Sequence, residues 1–184
     1  EYLEYMNELK LAKKLVATFS KKEVKKNPPP PYTTSSLQQD CYTQLRLSNK
    51  KTMLIAQELY ESGMITYMRT DSVEISSIAQ KNIIDYITET YTETYVKARK
   101  YNSKESSQGA HEAIRPTDIT NDGSELNDDS KRIYDLIRKR TLASQMAAAK
   151  YSHLDYIISP DKNTKYIFKG STETLIFDGY LRIY

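Results

Sequence analysis

"NPPPPYTTSSLQQDCYTQLRL", Asn27 to Leu47, divides the chain. Its four consecutive prolines have no amide donors and a fixed φ, so the run is neither helix interior nor central strand. It reads as a linker and a domain boundary. Directly after it, Thr33, Thr34, Ser35 and Ser36 are N-cap candidates, with Leu37, Cys41 and Leu45 following at four-residue steps. That pattern predicts a helix with one apolar face.

Working outward, Leu3, Met6, Leu9, Ala12 and Val16 predict an amphipathic helix over 2–17, and "TFSKKEVKKN" predicts a short strand. Beyond the linker, "NKKTMLIAQELYESG" predicts a second helix, with Met53, Ala56 and Leu59 on one face and Gly63 placed to end it. "MITYMRT" (64–70) has strand character, and alternation puts Ile65, Tyr67 and Arg69 on one side. Asp71, with Glu74 three residues on, predicts the cap of a helix through Ile75, Ile78, Ile83 and Ile87. Two helices followed by an extended segment resemble the order of a winged-helix unit.

From 102 to 130 the chain is rich in Ser, Asp, Asn and Gly, and "HEAIRPT" (111–117) sits in its middle. "SKRIYDLIRKRTLASQMAAAKY" (130–151) predicts a long helix with Ile133, Leu136, Ile137, Leu142 and Met146 inward. The remainder to Tyr184 predicts two or three strands broken at "SPDKN" and "KGST". The expected fold is α+β: a mainly helical domain at 28–150 with a winged-helix-like unit, flanked at 1–27 and 151–184 by parts of a β-rich domain. The opening in mid-pattern and the abrupt end suggest a piece of a longer protein.

Composition narrows the classes. No apolar run of about 18 residues exists to span a membrane. The single cysteine, Cys41, forms no internal disulfide, which points to a reducing, cytoplasmic setting. A formal charge of +3 does not announce nucleic acid, but its distribution is uneven. Residues 1–51 carry 10 Lys+Arg against 5 Asp+Glu, residues 61–129 carry 7 against 13, and residues 130–150 carry 6 against 1. The two basic blocks permit a positive groove around an acidic middle.

Most familiar chemistries are excluded. "HE" at 111–112 begins a zinc-protease pattern, but Arg115 stands where the second histidine is required. There is no glycine-rich phosphate loop and no nucleophile elbow. What remains is Tyr67 with Arg69, and His111 with Arg115. A tyrosine hydroxyl is a poor nucleophile at neutral pH unless nearby cations stabilise its phenolate and the charge on a phosphate. Against this, the chain holds 16 tyrosines, and most tyrosines serve packing.

"ITYMRTDS" followed by "HEAIRPT" resembles the catalytic segment of a type IA DNA topoisomerase. "PPPPYTTSSLQQD", "KKTMLIAQELYESG", "RTLASQMAAAKY" and the closing "FDGY" resemble the surrounding family pattern. Met68 and "HEAIRPT" favour the bacterial topoisomerase I branch. The resemblance implies that Tyr67 attacks a phosphodiester of single-stranded DNA to form a 5′-phosphotyrosyl link. Strand passage and religation would then relax negative supercoils without ATP. It implies that Arg69 and His111 assist at the scissile phosphate, with Arg115, Lys50 and Lys51 as DNA-binding candidates. Asp71 is expected as a cap and Glu112 as a possible orienter of His111.

The resemblance further implies a helical gate domain, parts of a β-rich arch domain, and partners in the same parent chain. One partner is a Toprim domain that binds Mg2+; no metal or other cofactor is expected within these residues, and the chain alone is expected not to relax DNA. Gly109 and Arg138 depart from the family pattern, Gly109 where an acidic residue is common and Arg138 where an aromatic is. A tyrosine recombinase fits less well, because its histidine and arginines precede the tyrosine. The alternative from another class is a non-catalytic winged-helix module that binds DNA or protein.

Overall fold

The computed structural model describes residues 2–12, 14–101, 111–160 and 167–184. The chain divides at the proline run into two units, one formed by Glu1–Lys26 with Ala149–Asp178 and the other by Asn27–Ala148 with Gly179–Tyr184. The last six residues therefore group with the helices, whereas the sequence had assigned them to the β-rich part.

The first unit holds α1 (Tyr2–Leu11), β1 (Leu15–Lys26), β2 (Ala149–Pro160) and β3 (Phe168–Phe177). The three strands form an antiparallel sheet in the order β1-β2-β3. The helix predicted to Ala17 ends at Leu11, because Val16 and Ala17 pair with Ser159 and Ile158 of β2. A ladder running from Leu15↔Pro160 to Lys26↔Ala149 satisfies backbone groups that a lone terminal helix would leave frayed. The break expected at "KGST" is absent: Gly170 lies inside β3 opposite Tyr156, and a side chain there would meet the Tyr156 ring. Glycine makes room for a cross-strand aromatic rather than turning the chain. The rest of the "SPDKN" turn, from 161 on, lies outside the described residues.

The second unit holds α2 (Thr34–Leu45), α3 (Asn49–Glu61), α4 (Ser77–Tyr91) and α5 (Asp128–Ser144). Each starts on a polar cap. Thr33 and Ser36 exchange side-chain-to-backbone bonds in a capping box, and Ser48, Ser76 and Asn127 cap the other three. Leu37, Cys41, Ala56, Leu59, Ile133 and Ile137 interlock α2, α3 and α5 in one core. Ile83 and Ile87 of α4 pack with Ile119, Leu142 and Met146 in a second. Both clusters use α5, which is therefore the central helix. Burial pushes the Cys41 thiol up to about 11, so it stays protonated and inert.

Two expectations are corrected here. α5 ends at Ser144 instead of Tyr151, because the chain beyond it pairs with the segment after α4: Lys97 N–H donates to Gln145 O at 2.9 Å and Ala147 N–H to Tyr95 O at 2.7 Å. The segment between α3 and α4 forms no strand, only the isolated bridge Ile65↔Pro116, so the described residues carry no winged-helix hairpin there. Arg138, which stands where the family pattern has an aromatic, stacks on Tyr86 and donates to Ile119 O at 3.0 Å and Tyr86 Oη at 2.8 Å. Gly109 lies outside the described residues. Among those residues, no helix is long and apolar enough to cross a membrane.

Candidate active site

The exit from α3 sets the site. Gly63, at φ +75°, closes the helix with bonds from Gly63 N–H to Tyr60 O and from Met64 N–H to Leu59 O, both 2.9 Å. The chain then crosses beside the "HEAIRPT" segment. Ile65 bridges Pro116, Ile114 bridges Tyr32, and Thr117 N–H donates to Met64 O at 3.0 Å. Arg115 thus lies between two bridging residues, Ile114 and Pro116.

Side-chain hydroxyls hold residues 66–70 in place of a strand ladder. Thr66 Oγ1 donates to Ala113 O at 2.7 Å and accepts from Arg115 N–H at 3.0 Å. Thr34 Oγ1 donates to Met68 O at 2.7 Å and accepts from Thr70 N–H at 2.9 Å. The expected alternation breaks at Ile65, which is buried, although Tyr67 and Arg69 are exposed and Met68 and Thr70 buried. Ile65 and Met68 are each 1% exposed, whereas Tyr67 is 45% exposed.

Asp71 is not a cap. Thr70 and Ser72 hydroxyls accept from Ser72 and Glu74 N–H, and Glu74 O accepts from Ala113 N–H at 2.8 Å. These bonds compete with helix, which begins only at Ser77 with Ser76 as the cap.

Tyr67 and His111 line the same depression, of about 260 Å³, together with Thr66, Thr70 and Glu112. The Tyr67 ring rests edge-on against Tyr60 with centroids 5.1 Å apart. Arg69 is not among the residues that line this depression. It lines a separate depression of about 470 Å³ with Lys50, Lys51, Met53, Leu54 and Gln57 along α3. Lys51 pairs with Asp129 at 2.5 Å. The structure thus brings Tyr67 to His111, and gathers Arg69 with Lys50 and Lys51.

Arg115 is engaged. Its Nη2 donates to Glu112 Oε2 at 2.6 Å, its Nη1 to Pro116 O at 2.9 Å, and its side chain is 12% exposed. Glu112 also accepts from Ser76 N–H at 2.6 Å, so it ties the start of α4 to this segment rather than bonding to His111. Burial alone pushes the Glu112 carboxyl up, but the bonds from Arg115 and Ser76 outweigh it and hold the group below the ordinary range.

Sequence reasoning missed Thr34, Thr66 and Tyr60. Thr34 was visible only as one of several cap candidates, and nothing local marks a threonine that reaches across to residues 68–70. No cluster of three or more His, Cys, Asp or Glu suited to a metal occurs among the described residues.

A family model described as DNA topoisomerase matches residues 1–184. DNA topoisomerase 1 of Thermotoga maritima is 41% identical over 98% of this chain and 31% of its own length. That of Vibrio cholerae is 41% identical over 85% of this chain and 18% of its own. The full-length topoisomerase I structure from Thermotoga maritima superposes with a TM-score of 0.80 at 40% identity, again over 98% of this chain and 31% of that one. The chain belongs to the DNA topoisomerase family, in its bacterial type IA branch. It spans less than a third of the length of these relatives.

Proposed function

We propose that this chain is the tyrosine-bearing gate portion of an enzyme that cuts one DNA strand, passes a strand through the gap and rejoins it. Residues 28–150 are the gate, with α2 and α3 as the helix pair of a winged-helix-like unit, and the β-sheet unit is part of an arch. The observation that carries the reading is the meeting of Tyr67 and His111 in one open depression.

Tyr67 Oη attacks a phosphodiester of single-stranded DNA, forming a 5′-phosphotyrosyl ester and releasing a 3′-hydroxyl. Exchange of one phosphoester for another conserves bond energy, so religation requires no ATP and negative supercoils relax. His111, which lines the same depression, holds or supplies a proton to a phosphate oxygen. Arg69 is exposed and has no hydrogen bond or ion pair among the described residues, which leaves it free to swing onto the phosphate that Tyr67 attacks. Lys50 holds the DNA backbone nearby. Arg115 contributes through Glu112, as part of the frame around His111. Mg2+ belongs to a Toprim domain elsewhere in the parent chain, and no step here is routed through it.

The test uses the full-length parent protein, with and without Tyr67→Phe, incubated with magnesium and end-labelled single-stranded oligonucleotide, then denatured. A covalent adduct that disappears in the variant supports the reading. An adduct that persists assigns the attack to another residue. DNA binding with no adduct from either protein makes a non-catalytic module the better account.

A further inference from the structure

Tyr67 occupies an unusual place for a residue that must be aimed. Its backbone lies outside any helix or strand, and neither its N–H nor its C=O makes a hydrogen bond among the described residues. Its ring touches Tyr60 and is otherwise half exposed. Regular structure therefore does not set its direction.

The residues on either side of it are fixed by two hydroxyls. Thr66 Oγ1 spans Ala113 O and Arg115 N–H, while Thr66 N–H donates to Arg115 O at 2.9 Å. This couples the residue before Tyr67 to the segment that carries His111. On the other side, Thr34 at the start of α2 spans Met68 O and Thr70 N–H, and Thr34 N–H donates to Thr70 O at 2.9 Å. Thr34 lines neither the Tyr67 depression nor the Arg69 depression, so its influence passes through residues 68–70.

We propose that Thr34 and Thr66 are positioning residues for Tyr67, a two-hydroxyl clamp that holds its phenol in register with His111. The proposal rests on Tyr67 being the nucleophile. A phenol that must approach phosphorus in line tolerates little angular freedom, and a misplacement of about 1 Å costs on the order of 100-fold in rate. Valine matches threonine in shape but removes the hydroxyl, leaving the Thr70 or Arg115 amide without its partner. Serine keeps the hydroxyl and loses a methyl.

The experiment compares Thr34→Val, Thr34→Ser, Thr66→Val and Thr66→Ser in the full-length parent. Three quantities are read: the single-turnover rate of covalent adduct formation at saturating oligonucleotide, the dissociation constant for that oligonucleotide, and amide exchange at Thr70 and Arg115. The expected result is a cleavage rate lower by about 10- to 100-fold in each valine variant, with binding within about 3-fold of wild type. Exchange quickens by about 10-fold or more at Thr70 in Thr34→Val and at Arg115 in Thr66→Val. Both serine variants restore rate and protection.

Valine variants that cleave at the wild-type rate overturn the proposal, as does a loss that serine fails to rescue. If one valine variant does not fold, the other still decides the clamp, since each hydroxyl has its own amide reporter. Failure of the nucleophile assignment reads differently: the adduct then survives Tyr67→Phe, whatever the threonine variants do.

Discussion

Removing Glu112 tests whether the frame around His111 is a charged staple. The carboxylate joins two partners: the Arg115 guanidinium through bonds of 2.6 and 3.4 Å, and the first amide ahead of α4, Ser76 N–H, at 2.6 Å. Side-chain exposures of 12% for Arg115 and 31% for Glu112 place the pair between a surface bridge, worth about 0–1 kcal/mol, and a buried one whose breakage costs about 3–5 kcal/mol. Glu112→Ala leaves a mostly covered guanidinium with only Pro116 O and strands an amide at a helix start. The expected loss is about 2–3 kcal/mol. Arg115→Ala, in which Glu112 keeps Ser76, should cost less. A double-mutant cycle by urea unfolding of the chain at pH 7 should give a coupling of about 1–2 kcal/mol.

The sign with pH follows from the lowered Glu112 carboxyl. Its contribution is present above the ordinary value near 4.5 and is lost as pH falls through the lower folded value. The gap between wild type and Glu112→Ala should therefore narrow as pH falls below about 4.5. A coupling below about 0.5 kcal/mol, within the additivity error of independent sites, would refute the staple. A gap that persists unchanged at pH 3 would do the same.

Two further predictions concern the C-terminal turn and the middle of the sheet. Gly179 sits at φ +52°, where an added Cβ would lie 2.5 Å from Ala147 O and 2.6 Å from Ala148 O, so Gly179→Ala should lower urea-unfolding stability by about 2–4 kcal/mol; a loss below about 0.5 kcal/mol would show that the turn can shift to admit a side chain. His153 is flanked by Asp155 at 3.0 Å and Glu173 at 3.1 Å, with Lys22 and Lys26 on the outer sides of those carboxylates. The bonds to Asp155 and then Glu173 raise its pKa, so its contribution is full below about pH 6.5 and fades as pH rises through the folded value; His153→Gln should lower the melting temperature more at pH 6 than at pH 9, and equal losses at both would discard the ladder.

The helices were legible because their signals are local. Leu37 and Cys41, or Ile133 and Ile137, repeat on one face, and a Ser, Thr or Asn stands before each start. What pattern reading got wrong lies where tertiary bonds outbid it. Asp71 and Glu74 look like a capping box, yet the Thr70 and Ser72 hydroxyls and the Ala113 amide take the backbone first. Val16 fits a helical repeat, yet β2 supplies a partner from about 140 residues away.

The site was half legible for the same reason. Tyr67 and His111 sit in recognisable motifs, but the alternation that placed Arg69 beside Tyr67 presumes a strand, and a strand needs a ladder. Thr34 and Thr66 replace that ladder with hydroxyls at chosen points, burying Ile65 and Met68 while turning Tyr67 outward. A strand would have locked Tyr67 and Arg69 onto one face in a fixed relation. A segment clamped only on either side of Tyr67 leaves Arg69 to choose its direction by side-chain rotamer, a change that costs about 0.5–1.5 kcal/mol even when strained. On the proposed function, that is the useful arrangement: the nucleophile is held while the cation that meets the phosphate arrives with the DNA.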